Sequence, residues 1–289
     1  PMFEASIPEV VGSEQYVKAL SYSRVAVDIE AVAAPAIAGL LVVLLGVRWV
    51  FRFDALTYLV STALVAFAIV PFVAKSGVPL SAKVFLSEIQ TGTRILLREP
   101  LLRQALILSF AEATAGAAAI VATVAYIRDA LGRGDTAFTL VMAALGLGST
   151  VAAILLGRAT GRYEQGAESK AVLHGRRHVW AQRALVFGGV LLGAILLPGF
   201  FVPPIFIFAV LWFLNGAGQA LIAIPSSTLL AEHSDESERG KAYAAHFALT
   251  HACWLITYPA IGYAAAGFGT PATFTAAGIV CLLITFFAY

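Results

Sequence analysis

Continuous apolar stretches of about 20 residues recur along this sequence and limit how it can fold. An α-helix needs about 20 apolar residues to cross the hydrocarbon core of a bilayer. A membrane β-strand is about half that length and alternates apolar with polar residues, unlike these stretches. Because lipid offers no partner to open backbone groups, each stretch is predicted to be a transmembrane helix. The eight predicted spans are residues 25–46, 53–74, 104–127, 137–157, 182–200, 203–230, 242–266 and 271–289.

Composition supports the same class, an all-α polytopic membrane protein. Hydrophobic residues make up 60% of the 289 residues and charged residues 12%, against about 25% charged residues in soluble domains. This composition predicts the lipid bilayer as a partner. The net charge is only +2, so no nucleic acid is predicted as a partner. The two cysteines, Cys253 and Cys281, lie in apolar stretches, which argues against a disulfide framework or a zinc cluster. No cofactor is predicted.

The distribution of basic residues predicts the orientation in the membrane. The segment before the first span and the segments that follow even-numbered spans lie on one side of the membrane, and they hold fifteen of the nineteen Lys and Arg residues. The segments on the opposite side hold four. Basic residues accumulate on the cytoplasmic side of membrane proteins. The asymmetry therefore predicts a protein of the inner or plasma membrane with both chain ends in the cytoplasm.

The longest break between spans, residues 75–103, divides the chain into two spans and six spans. Within it, Val84, Phe85, Ile89 and Leu96 recur at helical spacing, with charged residues between them. This pattern predicts a short amphipathic helix over residues 82–97 on the cytoplasmic surface. The alternative is an extended linker.

Two short segments carry a family resemblance. The segment APAIAG at residues 34–39 combines a proline with small residues, which allow a kink and a close approach of helices. The segment GRATGRY at residues 157–163 is a basic motif between the fourth and fifth spans. The residues that match family motifs are Pro35, Gly39, Gly157, Arg158 and Arg162.

These segments resemble motifs of the major facilitator superfamily, in particular its branch of drug and metal exporters. The resemblance implies that the eight spans match the fifth to twelfth helices of that fold, and that the first four are missing from this chain. Residues 1–74 then hold the last two helices of the N-terminal half, residues 75–103 the linker, and residues 104–289 the C-terminal half. Residues 245–259, together with residues 23–30, resemble a subgroup of nickel-resistance or heavy-metal exporters.

Carboxylates inside the spans are the first candidates for chemistry, because a charge at the bilayer centre costs roughly 2.5–3.5 kcal/mol. Glu112 lies about 13 Å into the third span with no basic residue within one helical turn. Two interpretations stay open: a proton-coupling residue, or a neutral group bonded to a neighbouring helix. Asp28 and Glu30 in the first span are further proton-coupling candidates, although Asp28 can also pair with Arg24.

Amides and tyrosines inside the spans are candidates for the wall of a substrate cavity. Asn215 and Gln219 lie four residues apart on one face of the sixth span. They either form part of that wall or make hydrogen bonds between helices. Tyr126 and Tyr258 are the remaining cavity candidates.

Three metal-ligand residue types occur together in the seventh span. His246, His251 and Cys253 carry imidazole and thiolate groups, which suit nickel, copper or zinc. The two histidines are about 140° apart around a helix, unlike the i, i+4 pair of a compact site. These residues therefore form either a weak transport site completed by other helices or hydrogen bonds to neighbouring residues.

Glycines mark where helices are predicted to pack closely. Gly189 and Gly193 form a small-xxx-small pattern in the fifth span, and Gly146 and Gly148 reduce the side-chain bulk of the fourth span. Small residues allow transmembrane helices to approach at backbone distance. We therefore predict close contacts at both places.

The functional prediction is a secondary active transporter rather than an enzyme. It is a proton-coupled exporter of a small molecule or a metal ion that works by alternating access, so protons and the substrate are its predicted small partners. The sequence shows no phosphate-binding loop, nucleophile motif or His-rich box, which disfavours an integral-membrane enzyme. Efflux of nickel or heavy metals specifically, and a non-transporting, truncated membrane remnant, stay open as interpretations.

Overall fold

The computed structural model describes residues 41, 45–67, 82–165, 170–233 and 239–289, and its regular elements there are all helical. This confirms the all-α prediction. The first predicted span, residues 25–46, lies almost wholly outside the described residues. The long helices are α1 (Val47–Phe67), α2 (Ala82–Arg98), α3 (Pro100–Ala130), α4 (Asp135–Gln165), α5 (Lys170–Leu196), α6 (Ile205–His233), α7 (Arg239–Phe268) and α8 (Thr270–Ala288).

The chain forms two compact units, residues 1–82 and 83–289. The described part of the first unit is chiefly α1, whose large apolar side chains are exposed. This helix begins at Val47 rather than at the predicted residue 53. The difference arises because hydropathy excludes Arg48 and Arg52 from a span, whereas a helix accepts arginine readily.

In the second unit, α3 is the central helix and contacts α5, α6, α7 and α8. Around it, α4 packs on α6, α6 on α5, and α5 on α8. Five of the described helices are long and apolar enough to cross a membrane: Pro100–Ala130, Asp135–Arg158, His178–Phe201, Ile205–Leu230 and Thr270–Ala288. The helix α7 covers the predicted seventh span but is less apolar than those five, because histidine, threonine and tyrosine side chains interrupt it.

Two helices extend well beyond their predicted spans. The helix α4 continues through Gln165, and α5 begins at Lys170, so most of the loop predicted between residues 157 and 182 is helical. Hydropathy detects only the apolar part of a helix, and no proline interrupts this stretch. The basic motif at residues 157–163 therefore lies on the end of α4.

The helix predicted over residues 82–97 is present as α2, whereas its place in a linker on the cytoplasmic surface stays a prediction. Leu96 is completely buried, and Gly92 lies against the backbone of Lys241 and the side chain of Ala245 in the first turns of α7. The side chain of Arg94 is exposed. The part of α2 around Gly92 and Leu96 is thus covered by protein.

Glycines bring α4 and α6 to backbone contact. A Cβ atom on Gly148 would overlap the carbonyl oxygen of Phe213, and a Cβ atom on Gly216 would overlap that of Leu145. Each glycine faces the opposite helix, so neither side of the crossing has room for a side chain. The close approach predicted at Gly148 is confirmed.

A second close approach joins α5 to α8. A Cβ atom on Gly189 would collide with the hydroxyl oxygen of Thr285, and one on Gly193 would collide with Leu282. The small-xxx-small pattern of α5 therefore faces α8, as transmembrane helix packing predicts.

Candidate functional site

Glu112 lies in the interior of α3, about 18 Å along the helix from Pro100. The side chain is half-buried, whereas its neighbours Ala111 and Ala113 are completely buried. Within the described part of the chain, no hydrogen bond or ion pair engages its carboxylate. A carboxylate thus stands in the middle of an apolar helix without a fixed partner among these residues.

The contact between α3 and α7 passes directly beside this carboxylate. The hydroxyl of Thr257 donates to the backbone carbonyl of Ala113 at 3.2 Å. One turn further along α3, Gly116 leaves the space that the indole of Trp254 fills. The thiol of Cys253 is close enough to Glu112 for the two groups to interact electrostatically. Glu112 therefore lies beside the contact between α3 and α7.

The three metal-ligand candidates do not converge in this structure. His246 is half-buried, and its buried Nε2 atom has no hydrogen-bond partner among the described residues. His251 is exposed, with its ring stacked on Phe247 at 3.7 Å. The Cys253 thiol donates to the carbonyl of Leu249 at 3.2 Å. Among the residues that the structure describes, no group of three His, Cys, Asp or Glu residues is placed to hold a metal ion.

The amide candidates bond to each other along α6. The Nε2 atom of Gln219 donates to Oδ1 of Asn215 at 2.8 Å. Asn215 is completely buried, and its Nδ2 atom has no acceptor in the described part of the chain. Its neighbour Gly216 forms the crossing with α4. Asn215 is thus part of the helix packing here, while Gln219 is half-buried.

The two tyrosine candidates differ in their surroundings. Tyr126 is completely buried, and its hydroxyl donates to the carbonyl of Gly199 at 2.6 Å. Tyr258 is exposed and lies against Trp254, with 5.3 Å between the ring centroids. Tyr258 thus belongs to the same face of α7 as the residues beside Glu112, and Tyr126 lies elsewhere.

The motif residues fall in different parts of the chain. Gly157 and Arg158 are exposed on the end of α4, and Arg162 follows on the same helix. The remaining candidates lie outside the described residues: Asp28, Glu30, Pro35 and Gly39. Their roles stay predictions.

Sequence reasoning missed Trp254, Thr257 and Gly116, which build the surroundings of Glu112. For Gly116 the sequence does contain a local indication, because this glycine follows the isolated carboxylate of Glu112 by one helical turn. Trp254 and Thr257 come close to Glu112 only because of how α7 is aligned with α3. The spacing of residues within α7 does not predict that alignment.

A comparison with protein families identifies the chain. The model of the Major Facilitator Superfamily matches residues 1–170 and residues 106–289, which together cover the whole sequence. No curated protein matches the chain. The matched length, with the bundle of apolar helices, shows that the chain belongs to the Major Facilitator Superfamily, a family of membrane transporters.

Proposed function

We propose that this transporter is a proton-coupled exporter of a small molecule and that Glu112 is the residue that binds the proton. The observation that carries the proposal is the position of this carboxylate in the middle of α3, half-buried and without a hydrogen bond or ion pair among the described residues. Export, as opposed to uptake, rests on the resemblance of residues 34–39 to an exporter motif.

The physical basis is the cost of charge inside a membrane. An ionised side chain at the bilayer centre costs roughly 2.5–3.5 kcal/mol on insertion scales. The charged form of Glu112 therefore favours a conformation in which water reaches it, and the neutral form favours a closed one. Proton binding and release can thus be linked to the two conformations of an alternating-access cycle.

The contact with α7 supplies the link to movement. Trp254 and Thr257 hold α7 against α3 within about one helical turn after Glu112, at Gly116 and Ala113. A change of charge or hydration at Glu112 alters the surroundings of these contacts directly. The helix α7 is thus the element that we expect to respond to protonation.

The remainder of the proposal follows the superfamily architecture. Residues 1–74 supply the last two helices of the N-terminal half, residues 75–103 the linker, and residues 104–289 the C-terminal half. Both chain ends face the cytoplasm, in the inner or plasma membrane. Tyr258 and Gln219 belong to the wall of the substrate cavity.

Replacing Glu112 by glutamine tests the coupling, because the amide resembles a permanently neutral carboxyl. The protein, expressed with its complete coding sequence, is placed in inside-out vesicles with an acidic lumen, and accumulation of a lipophilic cationic dye is followed. In Glu112→Gln we expect accumulation to fall to the level without a proton gradient. Exchange of labelled for unlabelled dye, which needs no net proton movement, should persist.

The matched control is Glu88→Gln, which removes a carboxylate from the exposed side of α2. This variant should accumulate dye as the parent does. Proton-driven accumulation that is unchanged in Glu112→Gln would remove Glu112 from the mechanism. Loss of both accumulation and exchange would assign Glu112 to substrate binding or folding rather than to coupling.

The same vesicles distinguish the candidate cargoes. Nickel accumulation that is lost in His246→Ala and Cys253→Ala would assign a metal cargo and give these residues a role in it. Dye accumulation without nickel accumulation would assign an organic cargo. Neither activity, for a folded protein, would favour the non-transporting remnant.

A further inference from the structure

Two histidines and a glutamate from separate helices meet at one end of the bundle. His233 is the last residue of α6, His178 lies on α5, and Glu99 precedes the first residue of α3. The ring centroids of His178 and His233 are 4.7 Å apart, and Nε2 of His233 is 4.0 Å from Oε1 of Glu99. We call these three residues the histidine cluster. Glu99 lies about 20 Å along α3 from Glu112.

The hydrogen bond of His233 within α6 determines where a second proton would bind. The Nδ1 atom is 2.9 Å from the carbonyl oxygen of Leu229, one turn back along the helix. A carbonyl oxygen can only accept, so Nδ1 carries a hydrogen in the neutral ring and in the charged ring alike. The neutral ring then has no hydrogen on Nε2, the atom nearest the carboxylate of Glu99. A second proton on Nε2 turns this approach of two acceptors into an ion pair.

The helix ends at the cluster favour both charges of that pair. Glu99 stands at the N-terminus of α3 and makes no cap hydrogen bond with its side chain, and His233 lies in the last turn of α6. The partial charges of helix ends attract an anion at the N-terminus and a cation at the C-terminus. The side chain of His233 is 12% exposed and that of Glu99 is 39% exposed. Solvent therefore screens this pair less than a pair on the open surface.

Three elements next to the end of α6 carry charged or titratable side chains. Among the described residues, the titratable groups in contact with the His233 ring are Glu99, from the junction of α2 and α3, and His178, from α5. Two imidazolium rings at this distance repel each other, so we expect the cluster to take up one proton near neutral pH. The helix α7 also contacts α6 and carries Lys241 in its first turn. Lysine side chains do not ordinarily titrate between pH 6 and pH 8.

We infer that the histidine cluster is a second proton-binding site, at which a proton on His233 joins the end of α6 to the beginning of α3. A pair that needs the protonated ring forms below about pH 6.5, where histidine ordinarily titrates, and is lost as the pH rises. The predicted orientation places this end of the bundle in the cytoplasm, so an acidic cytoplasm forms the pair. Because α3 also carries Glu112, the added contact should slow transport. The effect on transport, unlike the proton site itself, rests on the proposed function.

A double-mutant cycle at two pH values tests the proton site without any transport. The variants are Glu99→Gln, His233→Asn and the two changes together. Asparagine can still donate to the carbonyl of Leu229, but it has no counterpart of Nε2. Unfolding temperatures are followed in detergent by tryptophan fluorescence. At pH 6 the coupling between the two changes should be about 1–3 °C, as for a partly exposed ion pair in a protein of this size, and at pH 8 it should vanish.

His251 supplies the matched control. Its Nδ1 atom is 2.8 Å from the carbonyl oxygen of Phe247, the same contact within a helix that His233 makes, and the residue is exposed on α7. The cycle of Glu99→Gln with His251→Asn should therefore show no coupling at either pH. Coupling between Glu99 and His233 that is absent at pH 6, or equal at pH 6 and pH 8, would overturn the proton site.

Exchange of labelled for unlabelled dye in inside-out vesicles tests the effect on transport. With both sides at pH 6, the parent should exchange about two- to fivefold more slowly than His233→Asn, and at pH 8 the two rates should be equal. If the unfolding temperatures show the coupling but the exchange rates do not differ, the proton site stands and its effect on transport fails. If the coupling appears but no proton-driven accumulation is found, the proton site stands and the proposed function fails.

Discussion

Alanine in place of Gly148 should destabilise the six-helix bundle, although alanine is the better helix former by about 1 kcal/mol. The added Cβ atom would overlap the carbonyl oxygen of Phe213 in α6. A backbone carbonyl cannot rotate aside as the end of a side chain can, so α4 and α6 must separate along their contact. Overpacking costs about 1–3 kcal/mol where side chains can adjust. We expect a net loss of at least about 2 kcal/mol here.

Heating the purified protein in detergent measures this loss. The thiol of Cys281 is completely buried, so in a protein whose half-buried Cys253 is changed to alanine, reaction with a thiol-specific dye reports unfolding. The matched control is Gly267→Ala, also in a helix, where a new Cβ atom would meet nothing within 4 Å. Gly148→Ala should unfold at a lower temperature than the parent, and Gly267→Ala should not. An unfolding temperature of Gly148→Ala at or above that of the parent would contradict the close crossing.

Truncation of Phe274 to alanine should cost about 3–5 kcal/mol, the range for a buried aromatic residue. Phe274 is completely buried and packs on Tyr126, Phe208 and Trp212. Its removal leaves a cavity where four aromatic rings meet, and the rings that remain cannot fill it without leaving their own contacts. Because transmembrane helices associate largely through packing, this loss is not offset by lipid.

The helix α8 provides its own control. Phe286 is 74% exposed and its ring touches the adjacent Phe287. Phe286→Ala removes the same atoms from the same helix and should change the unfolding temperature little. Equal destabilisation by Phe274→Ala and Phe286→Ala would show that the four rings contribute nothing beyond general apolarity.

Local rules predicted a large part of this fold. Apolar stretches located the helices α3 to α8, and helical spacing located α2, because each depends on a pattern within one segment. The glycine pattern of α5 predicted a close helix contact for the same reason, but not that α8 is the partner. The ends of helices were less well predicted, since α4 and α5 continue into polar sequence that hydropathy assigns to a loop.

Features that depend on several helices escaped prediction. Tyr126, Phe208, Trp212 and Phe274 come from three helices that are far apart in sequence, and they meet only because of how the bundle is arranged. The sequence showed them as scattered aromatic residues. Glu112, by contrast, was identified because an isolated charge in an apolar span is visible locally. Its neighbours on α7 were not, since they depend on the alignment of α7 with α3.

The polarity of α7 has a consequence for how the protein enters the membrane during synthesis. This helix is less apolar than the five clear spans, so its own partitioning into lipid is weak. After it, Gly269 at a φ of 80° reverses the chain directly into the strongly apolar α8. We expect the two helices to insert together as a hairpin. In a protein truncated after Phe268, α7 should then stay outside the bilayer. The helix α8 thus acts as the insertion partner of α7.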